Sequence, residues 1–226
     1  MLHDEKFSRN SFTKPQQTKI KKCTFGLIGL GGTGGFILEN LLRLGAGNFV
    51  LFDHDQFELS NFNRQLLATD DTIDTLKTEV AVARANKINP RANIKTCGMF
   101  DKKSSLNSIK ILIDGSDNVI TKMEAATLAR KKKIPYVFCS ANRASGMVTI
   151  FDGYNFNTAF QVPSDRKKLS DYKLCSSIIC PAASIAASIA VSQAINYLIK
   201  KPYVKAPDTL FFDLFSKKIF WRAKLG

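Results

Sequence analysis

Histidine is almost missing from this chain: His3 and His54 are the only two, and the five cysteines never form a Cys-x-x-Cys pair. No set of four Cys/His ligands at structural spacing can be drawn from these residues, so no zinc is expected. Cys23, Cys97, Cys139, Cys175 and Cys180 are odd in number and widely spaced, and no signal-peptide pattern precedes them. Free thiols in a reducing cytoplasm are expected. Internal repeats and low-complexity segments are lacking as well. Acidic side chains are scarce: 19 Asp and Glu stand against 33 Lys and Arg, a net charge of +14. Such an excess attracts polyanions, whether nucleotides, nucleic acid or acidic protein faces. The lysines are scattered, with small clusters at Lys21-Lys22, Lys131 to Lys133 and Lys200-Lys201 and no regularly spaced aromatics between them. That distribution argues against a nucleic-acid partner.

What is present is globular. Hydrophobic residues make up 45% and charged residues 23% of the 226 positions, which excludes disorder over most of the chain. A chain of this length suits one large α/β domain, which buries roughly 70% of its unfolded surface without a disulfide or metal staple. Residues 1–20 are polar and basic and read as an arm with a short helix. Cys23 to Leu30 is an apolar run that breaks into glycines, the mark of a buried parallel strand entering a tight turn. Phe36 to Leu42 continues at helical spacing until Gly45 and Gly47 stop it. Strands are predicted at Asn48 to Phe52, Ala92 to Thr96, Ile109 to Ile113, Tyr136 to Ser140 and Met147 to Phe151. Helices are predicted at Thr78 to Ile88 and Lys122 to Lys132. Short apolar strands alternating with helices predict a Rossmann-like, doubly wound and mostly parallel sheet. Asp152 to Ser177 has no clear periodicity and reads as a long loop. Ile178 to Ile199 is apolar and crowded with small residues. Its serines, Gln193, Asn196 and the helix-starting Pro181 favour a packed helix over a membrane span. Thr209 to Trp221 alternates and turns at Ser216-Lys217, which predicts a C-terminal antiparallel hairpin.

Gly29-Leu30-Gly31-Gly32-Thr33-Gly34 sits where a phosphate-binding loop belongs, after a strand and opening a helix. Glycines let the backbone approach a phosphate, and the helix start offers N–H donors and partial positive charge. Asp53 ends the second strand 19 residues after Gly34 and can accept from ribose hydroxyls. A nicotinamide-dependent oxidoreductase would show the same loop and acid. Beyond them lie Asp53-His54-Asp55, Ser60 to Gln65, Lys77 and Asp114 to Asn118. Strand C-termini in an open α/β sheet converge on one crevice, so Asp53, Arg64, Lys77 and Asp117 can face a common nucleotide. Any one of them alone is as easily a surface ion pair. Two cations with a carboxylate around a triphosphate are what Mg-ATP chemistry requires, and hydride transfer has no need of them.

The ordered series resembles the MoeB/ThiF family of adenylyltransferases, relatives of ubiquitin-activating enzymes, over nearly the whole chain. Lys6-Phe7-Ser8-Arg9 resembles the family's R-Y-x-R segment and GLGGTG its nucleotide loop. DHDQFELSNFNRQ resembles D-x-D-x-V-x-x-S-N-L-x-R-Q, DTLKTEVAVARANKINP the lysine-bearing helix, and DGSDN the family's D-x-x-D-N. Asn142-Arg143 and the strand from Gly146 to Phe151 follow the same order. The resemblance implies ATP and Mg2+ as cofactors. It implies that Gly29, Gly31, Gly32 and Gly34 hold phosphates and that Asp53 holds the ribose. Arg64 and Lys77 contact the triphosphate, Asp117 binds magnesium, and Asp55, Asn61, Gln65 and Asn118 complete the nucleotide site. The resemblance further implies a homodimer in which Arg9 reaches across the interface to the partner's γ-phosphate. The implied substrate is the C-terminal Gly-Gly carboxylate of a small ubiquitin-like sulfur-carrier protein. That carboxylate is adenylated with release of pyrophosphate, in cofactor biosynthesis. On this resemblance residues 21–226 form a single adenylation domain, with the nucleotide-binding part at 21–145 and the crossover loop and C-terminal part at 146–226.

The chain departs from the family at several points. Many members carry two zinc-binding Cys-x-x-Cys pairs; here Asn157 to Pro163 and the tail after Arg222 hold no cysteine. Lys122 stands where an arginine is common. Cys175 only loosely matches the family's loop cysteine, and Cys180 competes with it as a nucleophile. The missing zinc cysteines, with a loop between Asp152 and Pro181 that is short for the family, give weight to a small-molecule or peptide carboxylate as the acceptor. The positive charge would suit a carboxylate on a tRNA nucleoside. No membrane partner is expected.

Overall fold

In the computed structural model, which describes residues 5–162 and 177–226, apolar pentads become the buried centre of a sheet. Strand β1 (Thr24–Ile28), β2 (Asn48–Phe52) and β4 (Ile111–Asp114) are buried along nearly their whole length. Strands covered on both faces need such continuous apolar runs. With β3 (Asn93–Cys97), β5 (Tyr136–Asn142), β6 (Ser145–Phe151), β7 (Asp208–Asp213) and β8 (Phe220–Lys224) they form one eight-stranded sheet in the order β3-β2-β1-β4-β5-β6-β7-β8. Pairing is parallel from β3 to β5 and antiparallel from β5 to β8, as the sequence predicts.

Alternation along each strand divides the core into two layers. Phe25 and Leu27 of β1 face one side, where α1 (Lys14–Lys22), α2 (Gly32–Arg43), α3 (Lys77–Ile88) and α6 (Cys180–Leu198) pack. Ile28 faces the other, with α4 (Val119–Lys131) and the single-turn α5 (Phe156–Ala159). Six alanines of α6, from Ala182 to Ala194, have no exposure at all. Small side chains let α6 lie close on α2 and β5, so the apolar stripe is spent in the chain's own core. Among the described residues no helix is long and apolar enough to cross a membrane.

The arm docks far from the glycine loop. Asn10 and Gln17 side-chain amides both donate to Leu44 O, at 3.3 and 2.7 Å, and Lys6 Nζ donates to Ile88 O at 3.4 Å. Leu44 and Ile88 end α2 and α3, whose starts lie at the opposite end of the sheet. A twelve-residue helix is about 18 Å long, so the arm that carries exposed Arg9 is anchored about a helix length from its own glycine loop.

Candidate active site

Strand β1 turns into α2 through Gly29, which has φ +78, a left-handed conformation that a side chain would strain. A Cβ on Gly34 would run into Gly29 O, so the first turn of α2 can close on the strand end only with glycine there. Gly34→Ala is therefore expected to destabilise the fold by about 3 kcal/mol, read as a lower midpoint in urea unfolding. No side chain caps α2, and its first N–H groups are left for a ligand beside the positive end of the helix dipole.

In front of this helix start lies a cavity of about 640 Å3, lined by Gly29, Gly31, Gly32, Asp53, Asp55, Arg64, Gln65, Lys77, Asp117 and Asn118 among others. Its size is that of a small-molecule site. Asp53 fastens the rim: Oδ2 accepts from Leu30 N–H at 2.6 Å and Oδ1 from Asp55 N–H at 2.9 Å. The segment after β2 is pinned by Phe57, fully buried, and by bridges from Gln56 to Leu76 and Phe57 to Ile73. It carries Arg64 against the glycine loop, where Nη1 donates to Ser60 O and to Asn63 Oδ1, both at 2.8 Å.

Lys77 is the first residue of α3, where the helix dipole disfavours a cation. Its side chain is nonetheless only 8% exposed, with Nζ 3.2 Å from Asp55 Oδ2 and 5.8 Å from the Phe57 ring centre. A buried ammonium placed against its helix dipole and at the wall of a cavity is well arranged to meet an anion. Asp117 is exposed in the loop after β4 and has a free aspect toward the cavity. Gln65 is buried, and its Oε1 has no partner. A buried acceptor left unpaired costs about 1–3 kcal/mol, which a hydroxyl or amine donor on a bound molecule would relieve.

Of the other expected residues, Asp55 and Asn118 line the cavity, whereas Asn61, Gly34 and Arg9 do not. Asn61 is buried behind the cavity, where Oδ1 accepts from Glu58 N–H at 3.2 Å and holds the turn that carries Arg64. Its part is to shape the loop. Gly34 likewise lies behind the cavity wall, and its backbone fit is its contribution. Asp55 pairs with Lys77, and Asn118 lines the cavity while its Oδ1 caps α4 through Thr121 N–H at 3.0 Å. Arg9 is not in the cavity of its own chain. Cys175 lies outside the described residues. Cys180 is exposed at the start of α6, while burial pushes the Cys23 and Cys139 thiols up to about 12. Alkylation near pH 8 should mark Cys180 and spare Cys23 and Cys139, as peptide mass spectrometry would show. Equal labelling of Cys139 would contradict the buried assignment.

One element escaped the sequence reading. Asp114, at the buried end of β4, accepts from Lys122 Nζ at 3.2 Å, Ser116 Oγ at 2.6 Å, Ser116 N–H at 2.8 Å and Tyr136 Oη at 2.6 Å. Lys122 Nζ also donates to Cys139 O at 3.0 Å. Burial first, and then the Asp114 charge, hold the Tyr136 phenol well above its ordinary range. The network fixes the Ser116 turn, which packs on Gly29 and leads directly into Asp117. An aspartate closing an apolar strand, with a lysine eight residues on, was the signal available for it.

With this geometry in place, comparison adds a family. The ThiF family profile matches residues 4–225. The chain is 30% identical to a molybdopterin-synthase adenylyltransferase of Haemophilus influenzae over 211 residues, covering 90% of this chain and 86% of that protein. It is 32% identical to a tRNA threonylcarbamoyladenosine dehydratase of Bacillus subtilis over 144 residues, 61% of this chain but 56% of the relative. Among solved structures, Escherichia coli MccB with AMPCPP and MccA superposes with a TM-score of 0.80 at 19% identity, over 99% of this chain and 72% of that one. PaaA superposes at 0.76 and 20% identity, over 93% and 66%. At such identities the structures share the fold.

Proposed function

The chain belongs to the ThiF family, and from that premise we propose that it adenylates the C-terminal carboxylate of a small ubiquitin-like sulfur-carrier protein at the expense of ATP. One observation carries the proposal: a single cavity gathers an uncapped helix start, two cations held by their surroundings and an exposed carboxylate. The likeness to the molybdopterin-synthase adenylyltransferase, which extends over most of both chains, supports the carrier as acceptor. Adenylation of a carboxylate is the chemistry common to that relative and to the arrangement of charges here.

In the proposed reaction, an oxygen of the carrier carboxylate attacks the α-phosphorus of ATP. The bond from that phosphorus to the bridging oxygen of the β-phosphate breaks. The products are the acyl-adenylate and pyrophosphate. Gly31, Gly32 and the first N–H groups of α2 receive the phosphates, and Asp53, fixed by two backbone N–H groups, receives the ribose hydroxyls. Arg64 and Lys77 offset negative charge as it shifts onto the leaving pyrophosphate. Asp117 is the residue that would hold magnesium, which supplies Lewis-acid neutralisation of phosphate charge. An exposed carboxylate beside a phosphate-sized cradle suits a hard cation. Among the described residues the one group of converging Cys, His and acidic ligand atoms is Asp53, His54 and Asp55. Two of these three are already engaged in the site.

A second acceptor is favoured by the dehydratase relative, whose name implies a modified tRNA nucleoside. Exchange of radiolabelled pyrophosphate into ATP separates the acceptors. With a Gly-Gly-ended carrier protein, exchange should rise at least tenfold over the background without acceptor. Exchange driven by tRNA or by a peptide carboxylate, and not by the carrier, would move the substrate while keeping the chemistry. No exchange with any acceptor would overturn the activity itself.

A further inference from the structure

The fold undoes the scatter of the lysines. Strands β1 to β5 run parallel, so the segments entering them lie along one end of the sheet, opposite the cavity. Lys21 and Lys22 enter β1, Lys110 enters β4, and Lys132 and Lys133 enter β5, all exposed. Helix α6 starts near Arg143, just past β5, and runs down to Lys200 at the same end, where Val204 O accepts from Ile150 N–H at 3.1 Å. The three clusters that are far apart in sequence therefore share one pole. Lys205, the nearest lysine in an ion pair there among the described residues, is 3.4 Å from Asp152.

The opposite pole is where the apolar exposure lies. All ten exposed large hydrophobics among the described residues, Leu59, Phe62, Phe215 and Ile219 among them, sit on segments at the cavity end. Among the described residues the basic pole has none. Protein interfaces carry an apolar or aromatic centre, and stable membrane attachment of a soluble domain needs inserted apolar groups. A phosphate backbone needs neither, only Lys and Arg at the spacing of its charges. The entries to β1, β4 and β5 are neighbours in the sheet at about 4.8 Å per strand, so the row from Lys21 to Lys133 spans about 10 Å, and Lys200 widens it on the face that carries α1 and α6.

We propose that the strand-entry pole, through Lys21, Lys22, Lys110, Lys132, Lys133 and Lys200, binds the sugar–phosphate backbone of a nucleic acid, as a site separate from the nucleotide cavity. Binding is sequence-independent and salt-sensitive. It does not rest on which carboxylate the cavity activates.

Fluorescence anisotropy of a roughly 24-base-pair RNA duplex and of the matching DNA duplex tests it, at about 50 and about 200 mM salt. Four phosphate contacts predict about a hundredfold loss of affinity across that range. Lys21→Gln/Lys22→Gln/Lys132→Gln/Lys133→Gln should weaken binding at least tenfold and lower the salt slope by about 3.6, with ATP binding and urea midpoint unchanged. Lys217→Gln/Lys218→Gln, at the cavity end, should change it less than twofold. Whichever duplex binds tighter identifies the source of the backbone. An equal loss from the hairpin pair would mean general charge attraction and overturn the proposal. So would absence of binding to both duplexes at low salt, or binding only to anionic vesicles or acidic proteins.

Discussion

Lys77→Ala, Arg64→Ala and Asp117→Ala should each cut pyrophosphate exchange by 10²–10³, about 3 kcal/mol of barrier, while leaving the fold intact. The size follows from where the groups sit. Lys77 is held by Phe57 and Asp55 with its side chain 8% exposed, and Arg64 is held by Ser60 O and Asn63 Oδ1. Neither has to reorganise when charge moves onto the leaving pyrophosphate, and a preorganised cation is worth far more than a mobile one. Lys77→Arg should not restore the rate, because the planar fork does not fit a slot shaped for a single ammonium. Asp55→Asn provides the converse, since it leaves Lys77 buried without its anion and should disturb folding more than the chemistry. Three alanine variants that stayed folded and kept near-normal exchange would mean the nucleotide lies elsewhere.

Much of this was legible in the sequence because it is local. Asn48 to Phe52 is a strand to the residue, and the helix expected from Thr78 starts one residue earlier at Lys77. The glycine loop was legible because only glycine tolerates the turn at Gly29 and the contact between Gly34 and Gly29 O. What escaped depends on which side of a turn or strand a residue faces. Asn61 reads as a site residue in a motif, yet the turn points its amide inward to Glu58 N–H. The helix expected from Lys122 begins at Val119, since Asn118 supplies the cap and the apolar period starts only a turn later. Lys122 itself is 2% exposed, and no pattern on α4 distinguishes it from a surface lysine until Asp114 is placed beneath it. The alanine stripe of α6 is apolar on every side, so periodicity could not say what it packs against. Clustering of Lys21, Lys132 and Lys200 needed the parallel sheet, because a charge patch is a property of topology.

Arg9 should act in trans, and a mixture of two inactive variants should recover activity. Its arm is fastened to Leu44 and Ile88 at the strand-entry end, a helix length from its own cavity. Within one chain Arg9 therefore has no route to the phosphates short of releasing those contacts, whereas Arg64 and Lys77 are already at the cavity wall. A twofold dimer that set this arm against the partner's cavity would supply the guanidinium from outside. With the alanine stripe of α6 committed to the core, exposed apolar residues at the cavity end, Leu59, Phe62, Leu66 and Ile179 among them, offer a surface for such an interface. An arginine brought to a transferring phosphoryl group can be worth 10³–10⁵ in rate; attack here is at the α-phosphate, so Arg9→Ala should cost about 10³ or less. Mixed with Asp117→Ala, it should regain activity. Each mixed dimer has one site with both defects and one with neither. Random exchange makes half the dimers mixed, so activity should return toward about a quarter of the unsubstituted protein. Subunit exchange shown by mass, with no recovery, would place Arg9 outside the partner's site. A monomer at assay concentration would remove the trans arrangement altogether.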